Sequence, residues 1–234
     1  MGPIPLAMRE IIFDTETTGL DPQSGDRMVE IGCIEMVNRV VTGATFHAYF
    51  NPDRDMPGAA EAVHGLSAVF LSDKPRFAER AEELLAFIGD SPLVAHNAGF
   101  DFGFLNRELA ICGMAPVCKT RMVDTVTLAR VRHPGAKLSL DALCTRYGID
   151  RSHRTRHGAL LDSELLAQVY VELTGGRQIG LELAAERGSA AMTDVIGLVR
   201  ARPFRPARVF TASAAELIAH SAFLATVTNP LWNS

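Results

Sequence analysis

Residues 10–19 read Glu-Ile-Ile-Phe-Asp-Thr-Glu-Thr-Thr-Gly, an apolar run that ends in two acids one residue apart. The apolar part predicts a short strand over 10–14. Residues i and i+2 of a strand face the same side, so Asp14 and Glu16 project together at its end. Two carboxylates side by side repel, and one takes up a proton unless a cation sits between them. Oxygen ligands of this kind suit Mg²⁺ or Mn²⁺. Taken alone, the pair reads equally well as a strand-end cap beside a solvated acid.

Working outward, residues 28–37 are rich in Val, Ile and Met, and residues 40–50 in Val, Thr, Phe and Tyr. Asn38-Arg39 between them predicts a hairpin turn, and the three strands an antiparallel meander. Between Pro75 and Asp90, the spacing of Phe77, Ala81, Leu84, Leu85 and Ile88 is one face of a helix. Residues 92–96 read as a buried strand and 101–112 as a helix. Ser139 is an N-cap for a helix through Tyr147, with Gly148 as its stop, and a further helix runs from about Gly158 to Thr174 before Gly175-Gly176. A meander followed by a strand alternating with helices predicts a mixed α/β domain.

Two further constellations carry chemistry. His96-Asn97-Ala98-Gly99-Phe100-Asp101 follows an apolar strand and opens a helix, so Asp101 can point back towards Asp14. A helix-start acid favoured by the dipole is the plainer reading, with Asn97 a cap and His96 a satisfied core histidine. His157-Gly158-Ala159-Leu160-Leu161-Asp162 places a histidine five residues before an acid. On one straight helix those side chains diverge by about 140°. They converge if His157 lies in the loop before the helix, and the polar, basic residues 151–156 fit such a loop. Taken singly, His157 as a loop residue and Asp162 as a surface acid would be the simpler account.

The chain has 234 residues, 47% hydrophobic and 21% charged, with a net charge of −4. That is enough for one sizeable domain plus an appendage. It excludes a protein that grips duplex DNA by neutralising many phosphates. No apolar run approaches the roughly 18 residues a membrane span needs, and the N-terminus does not read as a signal peptide. Cys33, Cys112, Cys118 and Cys144 form no C-x-x-C pair, so a zinc site is not expected. Cys33 and Cys144 lie among apolar neighbours, and a reducing, cytoplasmic compartment suits all four.

The order D-x-E, H-N-A-x-F-D, H-x₄-D resembles the DEDDh exonucleases. Val37-Asn38-Arg39, Phe46-His47, Val63-His64-Gly65 and Ser139 to Cys144 resemble one branch of them, the proofreading (epsilon) subunits of bacterial DNA polymerase III. The likeness is close over residues 9–177 and loose beyond. It implies a ribonuclease H-like mixed sheet flanked by helices. It also implies 3′→5′ hydrolysis of mispaired or single-stranded DNA to nucleoside monophosphates with two Mg²⁺ or Mn²⁺ ions. By this resemblance Asp14 bridges both metals, Glu16 and Asp162 serve the metal on the nucleophile side, Asp101 supports the other, and His157 is the general base. Histidine titrates near neutral pH, so activity is expected to fall in acid. The resemblance places Asp14, Glu16, Thr17, Leu20, His64, Asn97, Phe100 and Asp162 against the 3′-terminal nucleotide; core packing is the other reading of Leu20 and Phe100, and Val63 reads as core. One departure is Ala59, five residues before His64, where the branch often carries Glu; the nearest acid is Glu61.

The expected organisation is an N-terminal extension (1–8), an exonuclease domain (9–176), a linker (177–208) and a polymerase-docking segment (209–234). Gln178, Leu181 and Leu183 resemble a sliding-clamp binding peptide. Arg200, Arg202, Arg205 and Arg208, with Pro203 and Pro206, read as an extended linker or a DNA contact. The apolar stretch from Ala214 to Val227, then Leu231 and Trp232, reads as a docking helix and anchor. By resemblance its partner is the polymerase alpha subunit. The competing readings are a free-standing DEDDh nuclease acting on RNA or short single strands, and a non-enzymatic scaffold that keeps the fold.

Overall fold

The computed structural model describes residues 8–152, 154, 156–176 and 211–228. The chain divides into two compact units, Met1–Leu183 and Ala184–Ser234.

The first unit opens with the expected meander: β1 (Arg9–Thr17), β2 (Met28–Val37) and β3 (Val40–Tyr49). Asn38 and Arg39 both take positive φ, 51° and 65°. That pair of left-handed residues gives a two-residue turn whose twist matches the flanking strands. Two short helices not expected from the sequence follow, α1 (Gly58–His64) and α2 (Ala68–Leu71), and then α3 (Phe77–Ile88). The chain continues through β4 (Leu93–Ala95), α4 (Ala98–Ile111), β5 (Met122–Asp124), α5 (Thr125–Arg132), α6 (Leu140–Tyr147) and α7 (Ala159–Leu173). The sheet order is β3-β2-β1-β4-β5. β1 pairs antiparallel with β2 and parallel with β4, and β4 pairs parallel with β5.

Alternation along β1 sorts its side chains into two layers. Ile11 and Phe13 join the core made with α3 and α4, which includes Phe77, Leu84, Phe102 and Leu105. Ile12 joins the opposite core, with Ile34, Met36 and Val94 of the sheet and Leu166 and Tyr170 of α7. The sheet is thus sandwiched between α3 and α4 on one face and α7 on the other. Gly32 lets α7 lie close: a Cβ there would stand 2.3 Å from the Leu160 nitrogen.

Three expectations need correction. β1 continues beyond Asp14 to Thr17, because β2 pairs with it along that length, Glu16 opposite Glu30 and Thr17 opposite Met28. Asp14 is therefore inside a strand and is not a strand-end cap. α4 begins at Ala98, three residues early, because the Asp124 carboxylate accepts from the backbone N–H groups of Asn97 (3.1 Å) and Ala98 (3.4 Å). Asn97 holds the cap position with φ 63° but makes no side-chain cap bond. Val63 is not core: it is 49% exposed. Ser139 caps α6 by accepting from Ala142 N–H, and Gly148 ends it in a left-handed conformation, as the sequence predicts.

In the second unit, α8 (Ala214–Leu224) is fastened by a reciprocal cap. Ser213 accepts from Glu216 N–H, and the Glu216 carboxylate accepts from Ser213 N–H at 2.8 Å. Leu217, Ile218 and Phe223 on it are exposed. The clamp-like residues Gln178, Leu181 and Leu183, the arginines at 200–208, and Leu231 and Trp232 lie outside the described residues.

Candidate active site

The acids expected to act together come from three elements. Asp14 and Glu16 lie on β1, on the face that carries α7. Asp162 lies in the first turn of α7 and Asp101 in the first turn of α4. Asp101 approaches from the other layer and is fixed there: the Thr15 hydroxyl donates to its Oδ1 at 2.7 Å. Glu16, Asp101 and Asp162 are all buried.

The electrostatics show how closely they meet. Burial pushes the Asp14 carboxyl well above its ordinary value, and the charges of Asp101, Glu16 and Asp162 push it further. Burial and then the Glu30 charge raise Glu16 from 4.5 to about 8. Burial raises Asp101 to about 7 against the opposing hydrogen bond from Thr15. Carboxylates that burial and mutual repulsion drive towards the protonated form favour a cation among them. Glu16, His157 and Asp162 each offer a ligand atom within 4.8 Å of one another. This oxygen-rich set fits a hard divalent ion.

The sequence reading missed two residues here. Arg154 puts Nε 2.5 Å from Asp162 Oδ1 and Nη2 2.7 Å from Asp162 Oδ2, while Nη1 lies 2.5 Å from Asp141 Oδ1. Its Nη2 also lies 2.7 Å from His157 Nδ1, which in turn stands 3.1 Å from Asp162 Oδ2. The basic loop thus sends a guanidinium into the acids. Glu30 is the second: it is buried beside Glu16 and bonded to His47 Nε2 at 2.7 Å. An acid on the inward parity of an apolar strand was the available signal for it.

His157 is in the loop before α7, half-exposed, with its backbone N–H donating to the Val63 carbonyl at 3.4 Å. That bond ties the loop to the end of α1. His64 is buried there. The Leu66 N–H donates to its Nδ1 at 3.0 Å, which leaves the proton on Nε2. Nε2 is buried and has no hydrogen-bond partner. Burial lowers this imidazole's pKa, against the opposing effect of the Thr17 backbone. Leu20 is 84% exposed, which removes the core-packing reading. Phe100 is half-buried against the α3–α4 core, with its ring 4.9 Å from that of Phe104. Asn97 is exposed beside it. The side-chain hydroxyl of Thr17 donates to the Gly19 carbonyl at 2.6 Å, shaping the turn that presents Leu20. His96 bonds Thr125 Oγ1 at 2.9 Å and is a satisfied structural histidine.

A mixed five-strand sheet of this order, flanked by helices, is an exonuclease fold. The nuclease domain of 3′hExo, a DEDDh family member bound to rAMP, shares this fold at a TM-score of 0.63 and 15% identity, over 74% of this chain and 94% of that one. Residues 11–170 match the Exonuclease family RNase_T. The DNA polymerase III subunit epsilon of Escherichia coli K12 is 42% identical over 229 residues, 92% of each chain. That of Rickettsia felis is 54% identical over 180 residues, 76% of this chain and 79% of its own. The chain belongs to the DNA polymerase III epsilon-subunit family and is a 3′→5′ exonuclease. Its fold implies divalent metal ions.

Proposed function

We propose that this chain is the proofreading subunit of a replicative DNA polymerase, removing mispaired 3′-terminal nucleotides with two Mg²⁺ or Mn²⁺ ions. The observation that carries this is the convergence of half-buried Asp14 with buried Glu16, Asp101 and Asp162 around one end of the sheet. Asp14, Glu16 and Asp162 would hold one ion, and Asp14 with Asp101 the other. When bound, such ions neutralise the phosphate and acidify water.

The protein's own groups do the rest. His157 takes the proton of the attacking water; the half-exposed loop position lets the ring turn from Arg154 towards the phosphate. Arg154 balances the charge of Asp162 and holds the imidazole close to the acids. His64, with Nδ1 already engaged, offers its Nε2–H to an acceptor on the terminal nucleotide. A buried donor left without a partner costs about 1–3 kcal/mol, which a ligand acceptor would recover. Leu20 wedges against the terminal base and Phe100 packs near it, with the Thr17 backbone and Asn97 alongside. Mispaired ends are chosen because they fray at lower cost, and only an unpaired strand enters.

The tail is read as the attachment to the polymerase alpha subunit. The exposed apolar residues of α8 support this. Tethering raises effective concentration without new contacts, which suits a chain of net charge −4. A clamp contact through Gln178, Leu181 and Leu183 would act the same way, and the cytoplasm is the compartment of such an assembly. Truncation after Gly176 is expected to keep single-strand nuclease activity and abolish co-elution with alpha; a truncated chain that still co-elutes contradicts the tail assignment. The direct test of function is digestion of a 3′-mismatched primer with Mg²⁺ by wild type and Asp14→Ala. Equal rates would sink the nuclease site.

A further inference from the structure

The register of the meander extends the catalytic end sideways. Glu16 pairs with Glu30, and Glu30 with Tyr49, in one cross-strand row; Asp14, Gly32 and His47 form the next. By alternation all of these side chains share the face that carries α7. From Glu16 to Tyr49 is two strand spacings, roughly 10 Å. α7 packs over β1 and β2, and His47 and Tyr49 on β3 are only partly buried.

Beyond them the row continues in aromatic rings. The centroids of His47 and Tyr49 are 4.8 Å apart, and those of Tyr49 and Phe70 are 5.1 Å apart and nearly perpendicular. The Lys74 ammonium stands 4.5 Å from the Phe70 centroid and 2.7 Å from the exposed Asp73 carboxylate, a pair that a phosphate would have to open. Other aromatic pairs, such as Phe13–Phe102 and Phe50–Phe77, are buried inside the core. Tyr49 and Phe70 belong to none of the core clusters among the described residues, and Phe70 is 42% exposed. An aromatic row that leaves the core and runs from the catalytic acids to a surface cation has the composition of a single-strand track.

We propose that His47, Tyr49, Phe70 and Lys74 form a stacking shelf for the bases immediately 5′ of the nucleotide being removed, with Lys74 facing a phosphate. The inference rests on the exonuclease reading of the site. It names how an acidic chain holds its substrate: affinity comes from base faces, which only an unpaired strand exposes, in place of a broad basic surface. His47 covers the Glu30 carboxylate with a hydrogen bond, so the strand crosses a paired acid.

The test compares two substrates with the full chain and Mn²⁺. One is a ten-residue oligothymidylate. The other is the nitrophenyl ester of thymidine 5′-monophosphate, which has no second base to stack. For Phe70→Ala and Tyr49→Ala, the ratio of kcat/KM on the oligonucleotide to that on the ester is expected to fall about tenfold, the worth of one stacked base, mainly through KM. Tyr49→Phe, which keeps the ring, is expected to retain the ratio. An unchanged ratio in both alanine variants overturns the shelf, whether activity is retained or both substrates lose equally because α2 has loosened. Failure of the wild type on both substrates would instead overturn the exonuclease reading, and the shelf with it.

Discussion

The two halves of the catalytic end are built differently. Asp14, Glu16 and Asp101 sit on a sheet strand and on a helix docked against it, with Asp101 held by Thr15. Arg154 and His157 sit on the loop before α7, and the loop is tied to α1 through the His157 N–H. The sheet half has its geometry set by the core and carries acids whose charges oppose one another. The loop half brings a guanidinium and an imidazole to the acids. Rigid elements position charge; a loop supplies the group that must change partner during the reaction.

The same isosteric change should therefore have opposite effects on stability in the two halves. Asp14→Asn removes a half-buried charge that its neighbours oppose. Mismatch hydrolysis is expected to fall by more than about a thousandfold, while the melting temperature in EDTA rises. Asp162→Asn should abolish activity to a similar degree but lower that melting temperature. It leaves Arg154, nearly buried, with the Asp141 carboxylate but without its bidentate one, a loss of about 1.5–3 kcal/mol. Parallel shifts in melting temperature for the two variants would break the distinction.

His157→Gln gives a smaller effect. A general base contributes about 10²–10⁴-fold, so kcat should drop about a hundredfold or more. The melting temperature should stay within about 1 °C, because the side chain is half-exposed and surface changes are within roughly ±0.5 kcal/mol. A large destabilisation would mean that the loop is part of the rigid half.

The mildest effect is on pH. Glu16 titrates at about 8 in the folded chain and near 4.5 when unfolded. Between those values the folded state keeps a proton that the unfolded state has lost. Stability without metal should therefore be full below about pH 4.5 as regards this group and decline as pH rises through 8. Urea midpoints in EDTA at pH 6 and pH 8.5 check this: the higher pH should give the lower midpoint, and Mn²⁺ should restore it. A midpoint that rises with pH would contradict the repulsion assigned to the sheet half.

The legibility of the sequence divides in the same way. The sheet half could be read because its signal is local. Two acids at i and i+2 after an apolar run share a face whatever the fold does elsewhere, and Asn38-Arg39 fixed the hairpin by turn chemistry. Ser139 and Gly148 marked α6 in the same manner. β5 and α5 were not legible, since three residues, Met122–Asp124, show no period. Asp124 earns its place only in three dimensions, where it caps both α4 and α5. Arg154 read as one charge among several in a solvated loop, and its partners are met only when the loop folds over α7. The family resemblance supplied roles for His157 and Asp162 that spacing left open.

The most direct measurement is a crystal structure of the chain with Mn²⁺ and a nucleoside monophosphate, with the metal located by its anomalous signal. The account predicts Mn²⁺ held by Asp14, Glu16 and Asp162, a second ion beside Asp14 and Asp101, and the Arg154 guanidinium displaced from Asp162. Metal bound away from Asp14, or an Arg154–Asp162 pair intact beside a bound nucleotide, would contradict it.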